Sequence, residues 1–283
     1  MLYADAHCHS NPVRGLGART IAKKFKNVGG WFIALVSLPP YYYGFTKHAI
    51  EAYEKTLEVM ASEKKKVAET GVKVKLLAGF HPAEVDEYIR RGLKPEEVLE
   101  LADNVFKLIV KLHKEGLVDG IGEVGRQHYS TATPRLVLSE LIMIKALEVA
   151  KDYDLPIHLH LEQGGRVTVE SVKTISRLTG LNTKLILLHH ASSETSYWSS
   201  KYGLWHTVVA KKNLIRITLG KKHDKLMVES DYIDDPRRPG VASYPWDIAF
   251  TINELVESGA VSEEEVYRTM VDRVTTYYGV EAP

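Results

Sequence analysis

The chain has 283 residues with 37 basic and 36 acidic side chains, so no global field draws it to nucleic acid or an anionic membrane. Its single cysteine excludes an internal disulfide framework and a cysteine-rich metal site. No apolar run approaches the roughly 18 residues of a membrane span and no basic-then-apolar leader opens the chain, so a cytoplasmic protein without membrane contact is expected.

Short apolar runs alternate with longer helix-like segments, the pattern of a parallel α/β sheet. Leu2-Tyr3-Ala4-Asp5-Ala6-His7-Cys8-His9 reads as a first strand, broken by Ser10-Asn11-Pro12. Alternate strand residues face the same way, so His7 and His9 project together while Cys8 packs away as a small hydrophobe. A short basic helix from Gly17 to Asn27 ends at Gly29-Gly30. Trp31 to Leu38 is a second strand stopped by Pro39-Pro40. Phe45 to Glu69 follows as a long helix, with Gly71 in the helix-ending position. Val72 to Phe80 is a third strand running into His81-Pro82, and Pro95 to Glu115 a helix with proline in its first turn. Leu117 to Glu123 is strand four, Pro134 to Asp152 a helix, Leu155 to Leu161 strand five, Val167 to Leu178 a helix and Thr183 to His189 strand six.

Leu214 to Leu219 has the β-branched composition of a strand, yet only six residues separate it from Leu226-Met227-Val228. Parallel neighbours need a crossover of about a dozen residues. Leu204 to Val209 is therefore strand seven, and the Leu214 segment a short crossover helix against its propensity. Lys225 to Ser230 is strand eight, and helices from Val241 to Tyr278 close the chain. Eight such units without a repeat or linker predict one (β/α)8 TIM-barrel domain over residues 1–283, a length usual for that fold. A surface rich in Lys and Glu and poor in Gln leans toward a thermophile.

In such a barrel the active site lies at the carboxyl ends of the strands. His7, His9, His81, His158, His160, His189 and His190 all fall there, seven of the chain's 12 histidines. Glu123 and Asp231 join them, and a carboxylate at the end of an apolar strand is costly to bury unless paired or bound to a cation. Four imidazoles and two carboxylates at one mouth suit two divalent cations about 3.5–4 Å apart. Glu123 is the best-placed anionic bridge, and Asp231 serves as ligand and general base. One of His158 and His160 is expected to satisfy a core polar group. Adjacent His189 and His190 should point to opposite faces, leaving one toward the axis. Arg126 is either a bidentate grip on a substrate phosphate or carboxylate, or an ion pair with Glu162 or Asp231. Tyr41-Tyr42-Tyr43 stack on bases or pack against the rim. Lys211, Lys212, Lys221, Lys222 and Lys225, with Trp198, Tyr202 and Trp205, form a basic aromatic strip or ordinary solvated helix faces.

Asp5-Ala6-His7-Cys8-His9, Gly79-Phe80-His81-Pro82, Gly122-Glu123-Val124-Gly125, Pro156 with His160 four residues on, His189-His190 and Glu229-Ser230-Asp231 occur in that order. The series resembles TatD-related metal-dependent hydrolases of the amidohydrolase superfamily over nearly the whole chain. The resemblance implies metal ligands at His7, His9, Glu123, His160, His190 and Asp231, with Glu123 bridging. His190 is preferred to His189 because Ala191-Ser192-Ser193-Glu194-Thr195 is similar to the context after the ligand in archaeal members. His81 is implied to lie near the substrate without binding metal, and Arg126 and His158 are further candidate substrate contacts. The implied cofactor is two divalent ions, Zn²⁺ or else Mn²⁺, Mg²⁺ or Co²⁺.

Departures bear on the substrate. Arg126-Gln127 replaces the family's usual Leu-Asp, Leu161-Glu162 replaces a small residue and Arg, and the Cys-Phe after the strand-six histidine is absent. The expected reaction is phosphodiester cleavage on single-stranded nucleic acid, as in a TatD-like deoxyribonuclease. Hydrolysis of an amide, lactone or phosphotriester of a small molecule is the alternative. A barrel that binds nucleic acid or a metabolite without turnover is the reading from another class.

Overall fold

A computed structural model describes residues 1–221, 223–238 and 242–283. Strand β1 (Tyr3–His9) leads through α1 (Ala18–Lys26) to β2 (Gly30–Val36), and a single turn at Pro40–Tyr43 precedes α2 (Ile50–Ala68). Then come β3 (Lys73–Ala78), α3 (Pro82–Arg90), α4 (Pro95–Lys114), β4 (Gly120–Gly125) and α5 (Thr133–Asp152). The second half runs β5 (Ile157–His160), α6 (Arg166–Thr179), β6 (Ile186–Leu188), α7 (Ser193–Tyr202), β7 (Trp205–Val209), α8 (Lys212–Leu219) and β8 (Leu226–Glu229). Helices α9 (Asp247–Glu257), α10 (Glu263–Tyr267) and α11 (Arg273–Tyr278) close the chain.

The eight strands are all parallel and neighbour one another in sequence order. At the seam Asp231 N donates to His7 O at 3.0 Å and His9 N to Tyr232 O at 2.9 Å, which brings β8 against β1. The result is a nearly closed (β/α)8 barrel. Strands β1, β2, β4, β5, β6 and β8 are buried along their whole length. Helices cover their outer face and side chains fill the interior, as parallel sheets require. Each helix contributes one apolar stripe: α1 buries Ala18, Ile21, Ala22 and Phe25 and leaves Lys23, Lys24 and Lys26 outside.

The crossover argument holds for α8. Its β-branched residues are helical because Ile215, Thr218 and Leu219 share one buried face. Two helices escape the sequence reading. Helix α3 starts directly at Pro82, so His81 is an N-cap residue and not the end of a strand. Helix α7 is capped by the Ser192 hydroxyl, which accepts from Thr195 N at 3.2 Å. Helix α2 begins at Ile50 and not at Phe45. Lys222 of the proposed basic strip and Val241 at the expected start of the last helices lie outside the described residues.

Candidate metal centre

Glu123, on β4, is the hub. Its Oε1 lies 3.0 Å from His7 Nε2 and 3.1 Å from His9 Nε2, both carried by β1. Its Oε2 lies 3.0 Å from His81 Nε2, 2.9 Å from His160 Nδ1 and 3.3 Å from His189 Nε2. Asp231 stands on the first side, with Oδ1 3.8 Å from His9 Nε2. Each carboxylate oxygen therefore faces its own set of ligands. Four triads converge closely enough to hold an ion: His7–Glu123–His189, His7–His9–Asp231, His81–Glu123–His160 and His128–His160–His190.

Backbone geometry makes this convergence possible. Gly79 lies so near Glu123 that a Cβ would stand 2.3 Å from Glu123 O. Gly125 has φ of +148°, and a Cβ there would meet His160 O at 1.9 Å. His190 and Asp231 sit just beyond strand ends with φ of +45° and +51°. Non-glycine residues adopt that left-handed region uncommonly, and mostly where the surroundings impose it. The turn at His190 overrides strand alternation. Both rings of the His189–His190 pair reach His160 Nδ1, at 3.0 and 3.3 Å.

Hydrogen bonds on the far side of each ring sort the imidazoles by tautomer. His9 Nδ1–H donates to Val36 O at 2.9 Å, which directs Nε2 to the carboxylates as the ligating atom. His189 Nδ1 makes no hydrogen bond among the described residues, but the buried Glu229 carboxylate lies 3.8 Å from it while Nε2 points to Glu123. Glu229 is held in turn by His190 N and the Thr207 hydroxyl, both at 2.6 Å. His81 has the opposite polarity. Its Nδ1 accepts from Ala83 N at 3.0 Å, so Nε2 carries the proton and is a donor. His190 resembles His81: the Gln163 amide donates to its Nδ1 at 2.7 Å, while Gln163 Oε1 accepts from Ser192 N at 2.7 Å.

Burial opposes charge at Glu123, His9, His189 and His160, so their protonation follows their partners. The surrounding His189 and His81 hold Glu123 well below the usual carboxylate range despite its burial. Burial would lower His9, but Asp231 and Glu123 raise it to about 10. His189 is likewise raised to about 10 by Glu123 and Glu229. Burial and the nearby His81 push His160 down to about 3. Two imidazolium protons thus stand where a divalent cation would put its charge. The donor set of imidazole nitrogen and carboxylate oxygen suits Zn²⁺, Mn²⁺ or Co²⁺, and residues and cation fit.

The cleft above this centre has a volume of about 320 Å³. Leu38, Pro39, Tyr41, Tyr42, Tyr129 and Ile233 form its walls, with His128 and Arg238 at the rim.

The TatD related DNase family profile matches residues 4–279. The chain belongs to this family. Membership makes it a metal-dependent hydrolase. An uncharacterized protein of Methanocaldococcus jannaschii is 28% identical over 278 residues, covering 98% of this chain and 95% of its own. A TatD-like protein from Archaeoglobus fulgidus has the same fold, with a TM-score of 0.64 at 18% identity over 98% of this chain and 100% of that one. So does a double mutant of the organophosphorus hydrolase from Deinococcus radiodurans, with a TM-score of 0.66 at 14% identity over 98% and 92% of the two chains.

Against the TatD pattern, the structure brings together His7, His9, His81, Glu123, His160, His189, His190 and Asp231. It does not bring Arg126 or His158 to the cleft. The Arg126 guanidinium turns outward and pairs with Glu162 through two bonds of 2.9 and 2.8 Å, with a third to Ser171 Oγ at 2.9 Å. Arg126 and Glu162 both depart from the family pattern, and each is the other's partner. His158 is fully buried beneath His7, so substrate does not reach it. The choice of His190 as the strand-six ligand also meets a contrary geometry, since Gln163 puts its ligating atom in the donor state. Tyr43 is buried, with its hydroxyl 3.0 Å from Ser10 O, whereas Tyr41 and Tyr42 face the cleft.

Several members of the basic aromatic strip are engaged within the fold. Lys212 pairs with Glu254, and Lys225 lies over the ring of the buried Trp205. Trp198 and Tyr202 pack under Arg166 and Lys173. Sequence reasoning missed His128, whose ring centroid lies 4.6 Å from that of His160. It lies in the segment beyond β4, where alternation carries no information. Gln163 was missed for the same reason, and Glu229 was visible in Glu229-Ser230-Asp231 without a role.

Proposed function

We propose that residues 1–283 act as one barrel domain that cleaves phosphodiester bonds at a two-cation centre, with single-stranded DNA as the preferred substrate. The observation that carries this reading is the division of Glu123, whose Oε1 faces His7 and His9 while Oε2 faces His160 and His189. His7, His9, Asp231 and Glu123 would hold one cation, and Glu123, His160 and His189 the other, with His189 in place of His190 in the ligand set.

Two bound divalent cations supply Lewis-acid polarisation of the phosphoryl group and ease ionisation of the attacking water. Asp231, held ionised by the His9 imidazole 3.8 Å away and the other histidines around it against the cost of burial, accepts the proton of that water. His81 Nε2–H donates to the charge developing on the phosphoryl oxygens, and the Ala83 N bond at 3.0 Å keeps it in that state. His128 adds an imidazole to the same cleft, beside His160 and His190. Tyr41 and Tyr42 offer ring faces to a terminal base, and Arg238, 3.3 Å from the Tyr42 hydroxyl, offers a charge to the next phosphate.

A second reading draws on the cleft itself. About 320 Å³ accommodates one nucleotide-sized group, which equally suits a small phosphate ester, lactone or amide. A single assay separates the two. The chain is loaded with Mn²⁺ or Zn²⁺ and offered single-stranded oligonucleotides, a phosphodiester chromogen, a phosphotriester and a lactone. Stepwise shortening of the oligonucleotide, lost in His9→Ala, is the expected result. Turnover of the lactone or phosphotriester alone, with every phosphodiester intact, would replace the first reading by the second.

A further inference from the structure

Beneath His7 runs a chain of buried polar atoms that the catalytic reading leaves unused. His7 Nδ1 lies 3.0 Å from His158 Nδ1, His158 Nε2 lies 3.1 Å from the Tyr278 hydroxyl, and that hydroxyl lies 2.6 Å from Ala6 O. His7, His158 and Tyr278 are 0%, 0% and 5% exposed, so no solvent proton mediates between them.

The order of protons along this chain follows from its last member. A backbone carbonyl has no proton, so two oxygens at 2.6 Å are joined by the single proton of Tyr278. The tyrosine oxygen then accepts, and His158 Nε2–H is the donor. A neutral imidazole carries one proton, and His158 has no carboxylate partner in its buried position to support a second. Its Nδ1 is therefore bare and accepts from His7 Nδ1–H. In neutral His7 that leaves Nε2 as a lone pair, aimed at Glu123 Oε1 3.0 Å away. Two acceptor atoms facing one another need a proton or a metal cation between them, and the metal can take the proton's place.

We propose that His158 and Tyr278 are positioning residues that lock His7 in the tautomer able to ligate a divalent cation through Nε2. This inference rests on the metal-centre reading above. Their element of origin explains the arrangement: Tyr278 is the last residue of α11, so the end of the chain fixes a ligand carried by its first strand. His9 reaches the same state through a backbone carbonyl, and His7, deeper in the barrel, uses two side chains instead.

The test is Zn²⁺ binding by calorimetry on the full chain, compared with Tyr278→Phe, His158→Phe and His158→Asn. Removing the outer partner of a ligating histidine typically weakens metal affinity by about 10–100-fold. A loss of that size is expected for one of the two Zn²⁺ equivalents in Tyr278→Phe and His158→Phe. His158→Asn should recover much of it, because its Oδ1 accepts where Nδ1 did. A variant that fails to fold is bypassed by nitrogen-15 NMR of histidine-labelled wild-type protein loaded with Zn²⁺, in which His158 should show the Nε2–H tautomer. Unchanged affinity in both phenylalanine variants, or an Nδ1–H tautomer for His158, overturns the inference and leaves the centre standing. A wild-type chain that takes up no Zn²⁺ overturns both together.

Discussion

Glu123 is the residue on which the proposed two-position centre turns, since each of its oxygens faces a different set of imidazoles. Replacing it with Ala should abolish stoichiometric metal uptake, whereas His9→Ala should remove one equivalent and keep the other. Elemental analysis of dialysed protein distinguishes these outcomes. Proton release follows from the same geometry. His9 and His189 are raised to about 10 in the cation-free protein, so both are protonated at neutral pH. A cation must displace those protons, so affinity should climb with pH up to about 10 and uptake should release up to two protons. Calorimetry in buffers of different ionisation enthalpy counts them, and an affinity independent of pH would contradict the assignment. At this scale the sequence was readable wherever period-two alternation applied. His7, His9 and His160 are placed as expected. His189 and His190 were not separable, because the choice depends on a left-handed turn at His190 and on Gln163, neither of which leaves a periodic trace.

Among the elements, α3 matters most to the site because its first turn holds His81. The His81 ring caps the helix, and the Glu84 carboxylate in return accepts from His81 N at 2.8 Å. Burial lifts Glu84 to about 7 from 4.5, although bonds from Tyr53, His81 N and Tyr88 work against the rise. A carboxyl raised in the folded state binds its proton more tightly there. Its contribution is complete below about pH 4.5 and is lost as the pH rises through about 7. A shift of that size corresponds to about 3 kcal/mol. Glu84→Gln should flatten the fall in stability between those limits, as read by urea melts at pH 5 and 7.5. Gly79→Ala should cost about 1–3 kcal/mol and disturb metal binding too, since the new methyl would displace Glu123 O. Thermal melts of the metal-free and metal-loaded variant would show both effects. Helix α8 was legible because a chain-length constraint outweighed propensity. Helix α3 was not, since Pro82 follows β3 so closely that the segment reads as a loop. Helix α7 was hidden by its serine-rich composition, its buried face being Thr195, Ser196 and Ser199.

For the whole molecule, the (β/α)8 order was readable from eight apolar strand segments, most of them separated by helix-like stretches, and the family match extends over residues 4–279. Among the described residues no helix is long and apolar enough to cross a membrane. The substrate pocket was the least legible part, for a physical reason: its walls come from segments after β2, β4 and β8, whose side chains follow no repeat. The most direct measurement of the two-position centre is anomalous diffraction from crystals loaded with Zn²⁺ or Mn²⁺. Two peaks should flank Glu123, one beside His7, His9 and Asp231 and the other beside His160 and His189. A single peak, or one lying away from both Glu123 oxygens, would contradict the shared-carboxylate arrangement.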